Sequence, residues 1–342
     1  MEPLVSILIP AYNCERTIAD TLRSALDQTW TNTEIVVVDD GSPDQTLAMA
    51  RQFASKSVAV LSQNNQGAAS ARNKAFSICQ GDYIQWLDAD DLLHPDKIRN
   101  QMTKVRDEPS PKTLWSSAWG RFIYRADKTV FSPTALWRDL MPIEWAVIYL
   151  AENHWMQPAN WLLSRDLTQT AGPWNVGISL DDDGEYFFRV VLASDRIRFV
   201  PESKVYYRRN LNSLSYMGRS PKKARSQFQS LRLQIGHLRA IEDSPRVRTA
   251  ALNYLQTYFI HFYPEMPELV QQAKQLAAEL GGELKAPRLP LKYAWIQKTF
   301  GWTAAKQTQL SYNKLKSSLI RSWDKALFRL QRRTSNPHAR IL

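Results

Sequence analysis

Over its first hundred residues the chain alternates short β-branched runs with amphipathic segments, and this alternation limits the folds open to it. Residues 5–9, 34–38, 58–61 and 83–87 read as strands, and residues 17–28, 42–54 and 67–79 as the helices between them. In the first helix Ile18, Leu22, Ala25 and Leu26 make one apolar face. The second opens on Ser42-Pro43-Asp44-Gln45, which matches a capping box with proline at the first helical position. Runs apolar on both sides, joined by amphipathic crossovers, specify a parallel sheet covered by helices. The expected class is α/β, beginning with a βαβαβαβ half.

Beyond a helix at 95–105 the alternation becomes irregular, with many tryptophans between Trp115 and Trp174. Residues 182–193 read as a helix, 197–200 and 205–207 as strands, and 222–242 and 247–280 as mainly helical. A boundary is expected at 217–221. Gly281-Gly282 and Pro287…Pro290 then set off a last segment. The predicted organisation is one α/β domain over 1–217, a helical extension over 218–284, and a C-terminal piece over 285–342.

The net charge of +11 sits at one end. Residues 285–342 hold thirteen Lys and Arg and one acid, Asp324. The rest is close to neutral, so any electrostatic partner belongs to the tail. Between Lys314 and Arg333, residues Leu315, Leu319, Trp323, Ala326, Leu327 and Leu330 share one helical arc; Lys314, Arg321, Lys325, Arg329 and Arg332 lie on the other side. Such a helix suits an anionic membrane surface; the alternative is that its stripe packs on the domain. No nucleic-acid-reading motif accompanies the charge. The longest apolar stretches, 35–38 and 145–150, fall far short of the roughly 20 residues that span a bilayer, and no secretion signal precedes the first strand. Cys14 and Cys79 form no metal-type or redox-type pair. A cytoplasmic protein with free thiols is expected, peripheral on the inner membrane face where the tail engages it.

In an open parallel sheet ligands bind beyond the carboxyl ends of the strands. The four strands here end in Pro10-Ala11-Tyr12-Asn13, Asp39-Asp40-Gly41-Ser42, Gln63 to Gly67, and Asp88-Ala89-Asp90-Asp91. Each alone is an ordinary polar turn; together they outline a site. Asp88 and Asp90 repel one another unless a hard cation such as Mn²⁺ or Mg²⁺ is shared between them and a diphosphate. The competing reading is a helix-capping cluster with Asp91 and Asp96. Asp181 to Glu185 form a second acidic group, which is either a favourable helix N-terminus or the source of a general base.

In order and spacing over residues 4–100 these motifs, with Gly67-Ala68-Ala69-Ser70-Ala71-Arg72-Asn73, resemble the nucleotide-sugar-binding half of family 2 glycosyltransferases with the GT-A fold. The resemblance implies that Pro10, Tyr12, Asn13, Asp40 and Gly67 line the donor site, with Tyr12 and Asp40 on the base. It implies that Arg72 lies near base or diphosphate, Asp88 meets ribose or metal, and Asp90 is the main metal ligand. Leu180-Asp181-Asp182-Asp183-Gly184-Glu185-Tyr186-Phe187-Phe188-Arg189 resembles the family's base motif, which puts Asp183 on the base and leaves Asp182 as the neighbouring alternative. Val205 to Asn210 and Ser215 resemble its closing strand and loop, with Asn210 where a His is frequent and Arg208 or Arg209 facing the diphosphate. The Gln-x-x-Arg-Trp motif of processive synthases is missing, which implies transfer of a single sugar. The implied donor is a nucleotide sugar, UDP-linked by preference, and the implied acceptor is a saccharide or lipid-linked glycan bound by residues 101–217. The alternatives are a metal-dependent nucleotidyltransferase, disfavoured because no Gly-rich phosphate loop follows the first strand, and an inactive α/β module with a binding tail.

Overall fold

A computed structural model describes residues 2–209 and 220–334, with side chains to residue 331. Asn210, Ser215 and most of the expected boundary at 217–221 lie outside the described residues, as does the side chain of Arg332. Strands β1 (Val5–Ala11), β2 (Thr33–Asp39), β3 (Val58–Ser62) and β4 (Tyr83–Trp86) form a parallel sheet in the order β3-β2-β1-β4. Helices α1 (Ile18–Leu26), α2 (Thr46–Arg51) and α3 (Ala68–Ile78) connect them. The order reverses between β1 and β4, and this switch point opens the crevice where ligands of such sheets bind. The strands are buried on both faces: Leu8, Val36 and Val38 turn to one core, Ile7, Ile9, Ile35 and Val37 to the other.

Two local expectations needed correction. Leu26, at the edge of the α1 arc in its last turn, is exposed. Ser42 does not cap α2: its Oγ accepts from Asn13 N and its own N–H donates to Asp39 Oδ2. Asp44 instead accepts from Thr46 N and Oγ1, so the helix begins later and is short.

After β5 (Leu92–Leu93), α4 (Lys97–Asp107) leads into β6 (Thr113–Phe122) and β7 (Val130–Phe131). Helix α5 (Pro142–Glu152), β8 (Leu163–Ser164), α6 (Arg165–Ala171) and α7 (Asp182–Ala193) follow, and β8 joins β4 antiparallel. The two strands expected at 197–200 and 205–207 are one, β9 (Arg196–Arg208), in a second sheet ordered β5-β9-β6-β7. Its register against β6 shifts between Ser117 and Ala118, where Pro201, lacking an N–H, falls in the bulge.

Helices α8 (Pro221–Ile241), α9 (Pro245–Phe259) and α10 (Pro267–Glu279) share one apolar core with α5 and α7, through residues such as Tyr149, Phe188, Leu231 and Tyr254. The basic segment forms α11 (Ala294–Thr334), kinked at Gly301. No helix among the described residues is long and apolar enough to cross a membrane. Most of the apolar arc of α11 faces away from the domain. Its opposite side docks: Asp324 accepts from Tyr124 N at 2.9 Å and Arg125 Nε at 2.7 Å, and Phe328 meets Tyr124. Leu327, Arg321 and Lys325 are half-buried there, whereas Leu315, Leu319, Trp323, Ala326 and Leu330 stay exposed.

Candidate active site

The carboxyl end of β1 buries Pro10 and leaves the Tyr12 ring in solvent. Asn13 follows with φ at +51° and is held by Ser42. Beside it Asp40 is buried, and its carboxylate accepts from Gln63 Nε2 at 2.7 Å, Gln66 N at 3.0 Å and Gly67 N at 2.7 Å. Asp40 thereby ties the end of β2 to the first turn of α3, where a negative charge is stabilised by the helix N-terminus. Gly41 lets the two loops approach: at φ +71°, a Cβ there would lie 2.9 Å from Asn65 N.

Arg72 is not a solvated surface charge. Ala69, Ala71 and Ala75 let α3 sit close on the sheet, and the guanidinium is buried against the Trp174 ring at 4.2 Å. It donates from Nη2 to Asp88 Oδ1 and from Nη1 to Asp182 Oδ2, each at 2.7 Å. Burial alone would lower its pKa; Asp88 and Asp182 outweigh that and hold the proton. This one side chain joins the acidic group after β4 to the acidic group at the start of α7, 110 residues from it in sequence.

Neither Asp88 nor Asp90 caps α4, whose N-cap is Asp96 without a side-chain cap bond. The Asp90 carbonyl accepts from Arg208 Nε, and Asp91, fully buried, accepts from Arg208 N. Burial, then the charges of Asp90 and Asp88, raise the Asp91 pKa well above the carboxylate range. Among the described residues no three His, Cys, Asp or Glu gather into a metal-binding group. The donor chemistry of Asp88 and Asp90 nonetheless fits a hard cation that takes one or two carboxylates and completes its shell with diphosphate oxygens and water.

In the second acidic group the three aspartates divide their work. Asp182 is committed to Arg72. Asp181, in the left-handed conformation at φ +66°, turns its carboxylate to α8, where Oδ2 accepts from Gln227, Ser230 and Gln234. The Asp183 carboxylate takes no hydrogen bond from any described residue, and burial, then Asp182 and Asp181, push its pKa up to about 8. The motif reading missed the role of Asp181; its trace in the sequence was Gln227, Ser230 and Gln234, a polar row on the buried face of α8. Gly184 completes the turn, since a Cβ there would lie 2.3 Å from Asp181 Oδ1. Gly184→Ala is expected to cost about 1–3 kcal/mol through overpacking, read as a lowered thermal midpoint. An unchanged midpoint would show that Asp181 does not anchor this turn.

Two aromatic groups also escaped the motifs. Trp174 stacks on Tyr186 at 3.9 Å and floors Arg72. Trp155 meets both Tyr207, at 4.9 Å, and Trp119, at 5.0 Å. Burial raises the Tyr207 pKa, and so do Asp91, Asp90, Asp88 and Asp183, which places this wall in the field of both acidic groups. Arg208 is buried at Asp90 and Asp91, while Arg209 is exposed. Burial pushes the Cys14 thiol up to about 12, in keeping with an inert free thiol.

Residues 6–140 match the family model Glycosyl transferase family 2. The chain is 44% identical over 117 residues to a chondroitin synthase of Escherichia coli, covering 34% of this chain and 17% of that protein. It is 45% identical over 106 residues to the UDP-Glc:alpha-D-GlcNAc-diphosphoundecaprenol beta-1,3-glucosyltransferase WfaP of Escherichia coli, covering 31% and 42%. These matches thus span less than half of either relative. In fold it is similar to S. aureus TarS 1-349 in complex with UDP-GlcNAc, with TM-score 0.65, 17% identity and 81% of each chain covered.

Proposed function

We propose that the chain, whose residues 6–140 match the family 2 glycosyltransferase model and whose fold is similar to that of TarS, moves a single sugar from a UDP-linked donor to an acceptor hydroxyl, with inversion at the anomeric carbon. The acceptor is a saccharide or lipid-linked glycan of a surface polysaccharide, met at the inner face of a membrane. The observation that carries this reading is the Arg72 bridge, which brings the post-β4 carboxylates and the α7 acidic group into one crevice at the sheet's switch point.

Tyr12 offers its exposed ring to the base, and Asp40 holds the loop that frames it. Asp90, with Asp88, would hold Mn²⁺ or Mg²⁺, whose chemistry is to offset the charge that collects on the departing diphosphate. Asp183 takes the acceptor's proton as the new C–O bond forms and the bond to UDP breaks; Asp182 keeps Arg72 in place beside it. Trp155 and Tyr207 offer apolar ring faces to the acceptor sugar. A nucleotidyltransferase is not favoured: β1 ends in Pro10-Ala11 and runs into Tyr12-Asn13, where a Gly-rich phosphate loop would be needed.

Isothermal titration with UDP tests the donor site. The parent chain should bind UDP more tightly with Mn²⁺ present, and Asp90→Asn should lose that component. Equal, metal-independent binding by both proteins, or none by either, would overturn the assignment.

A further inference from the structure

Helix α11 presents an exposed apolar stripe. Tyr312, Leu315, Leu319, Trp323 and Leu330 are between 49% and 69% exposed and recur at intervals of three, four and seven, so they share one face. The helix is held by its other side, through Asp324 on Arg125 and Tyr124 and through Lys306 on Glu265 at 2.9 Å. Ahead of the Gly301 kink, Trp295 and Phe300 are 64% and 67% exposed. Isolated exposed apolar residues are ordinary on a soluble surface; a continuous row of them that includes a tryptophan marks an interaction face.

Charge decides which partner fits. Lys316 and Arg329 flank the stripe and are exposed. The one acid of residues 285–342, Asp324, is spent on the docked side. A second copy packed stripe to stripe would set like charges against each other along the seam, with no acid to relieve them. An anionic bilayer meets both needs, since its interface takes Leu and Trp side chains and its headgroups attract the flanking cations.

We infer that the α11 stripe is a membrane-docking face: the helix lies in the plane of an anionic lipid surface, apolar side down, while Asp324 keeps it braced to the β6–β7 connection. This goes beyond the transfer reaction and does not depend on it.

The test is co-sedimentation of the full chain with vesicles of phosphatidylglycerol and phosphatidylcholine, against phosphatidylcholine alone, at low and high salt. The parent chain should pellet with the anionic vesicles only, and less at high salt. Leu319→Glu with Trp323→Glu, both at exposed positions, should cut partitioning by about tenfold or more while the thermal midpoint and Mn²⁺-dependent UDP binding stay unchanged. Parent protein that stays in solution with anionic vesicles overturns the inference, as does a charged variant that still pellets. Light scattering showing a dimer that the same variant dissolves, without vesicle binding, would assign the stripe to a second copy instead.

Discussion

Asp183→Asn is expected to slow sugar transfer by about a hundred- to ten-thousand-fold, the usual cost of removing a general base, with UDP binding unchanged. The amide keeps the shape of the carboxyl but cannot take the acceptor's proton. Asp182→Asn serves as the contrast, because Asp182 holds the Arg72 guanidinium at 2.7 Å and has that contact to lose. Should Asp182→Asn be inactive while Asp183→Asn turns over normally, the base is Asp182. The proton on Asp183 also predicts a pH dependence. Its pKa is raised from 3.8 to about 8 in the folded chain, so transfer by donor-limited enzyme should climb as pH rises toward that value and the carboxylate forms. Stability should move the other way. Between the two pKa values the folded state keeps a proton that the unfolded chain releases, so stability falls with rising pH and levels off above about 8. Asparagine carries no such proton, and Asp183→Asn should melt above the parent at pH 8 and closer to it at pH 4. A variant that melts below the parent throughout would show that Asp183 is not held in its acid form.

Arg72→Met is expected to be the most destabilising single change in the site, at about 3–5 kcal/mol, because it removes one member of a buried ionic group and strands the others. Asp182 and Asp88 are both half-buried, and each loses its bond to the guanidinium. Arg72→Lys should rescue little: the two bonds leave from different nitrogens of a rigid fork, and one ammonium cannot reproduce that plane or its stacking on Trp174. Adding Asp182→Asn to Arg72→Met should recover part of the loss by removing one stranded charge. Thermal or urea melts of the four proteins settle the point; an Arg72→Lys variant as stable as the parent would mean that the bridge is not what holds the two acidic groups together.

How far the sequence reaches depends on where each signal is stored. Strands β1 to β4 and helix α7 were legible because their cause is local, in apolar runs of fixed period and acidic or glycine residues just beyond them. The candidates Tyr12, Asp40, Asp88 and Asp90 stood out in the sequence for the same reason, since the carboxyl end of a parallel strand is where its chain must turn, and Asp183 stood out because an acidic run opens α7. Their division of labour was not. Asp181, Asp182 and Asp183 are chemically identical neighbours, and only α8, 46 to 53 residues on, and Arg72, 110 residues back, tell them apart. Ser42 carried the local pattern of a helix cap, but Asn13, 29 residues away, took its hydroxyl. The two short strands before residue 208 became β9 because β6 runs alongside both and tolerates a bulge at Pro201. For α11, periodicity alone established a stripe and a basic flank. Which side faces the protein was decided by Asp324 finding Arg125, 199 residues distant, because a helix can bury only one side on a given surface and a charge with a partner there outweighs apolar residues without a matching hollow.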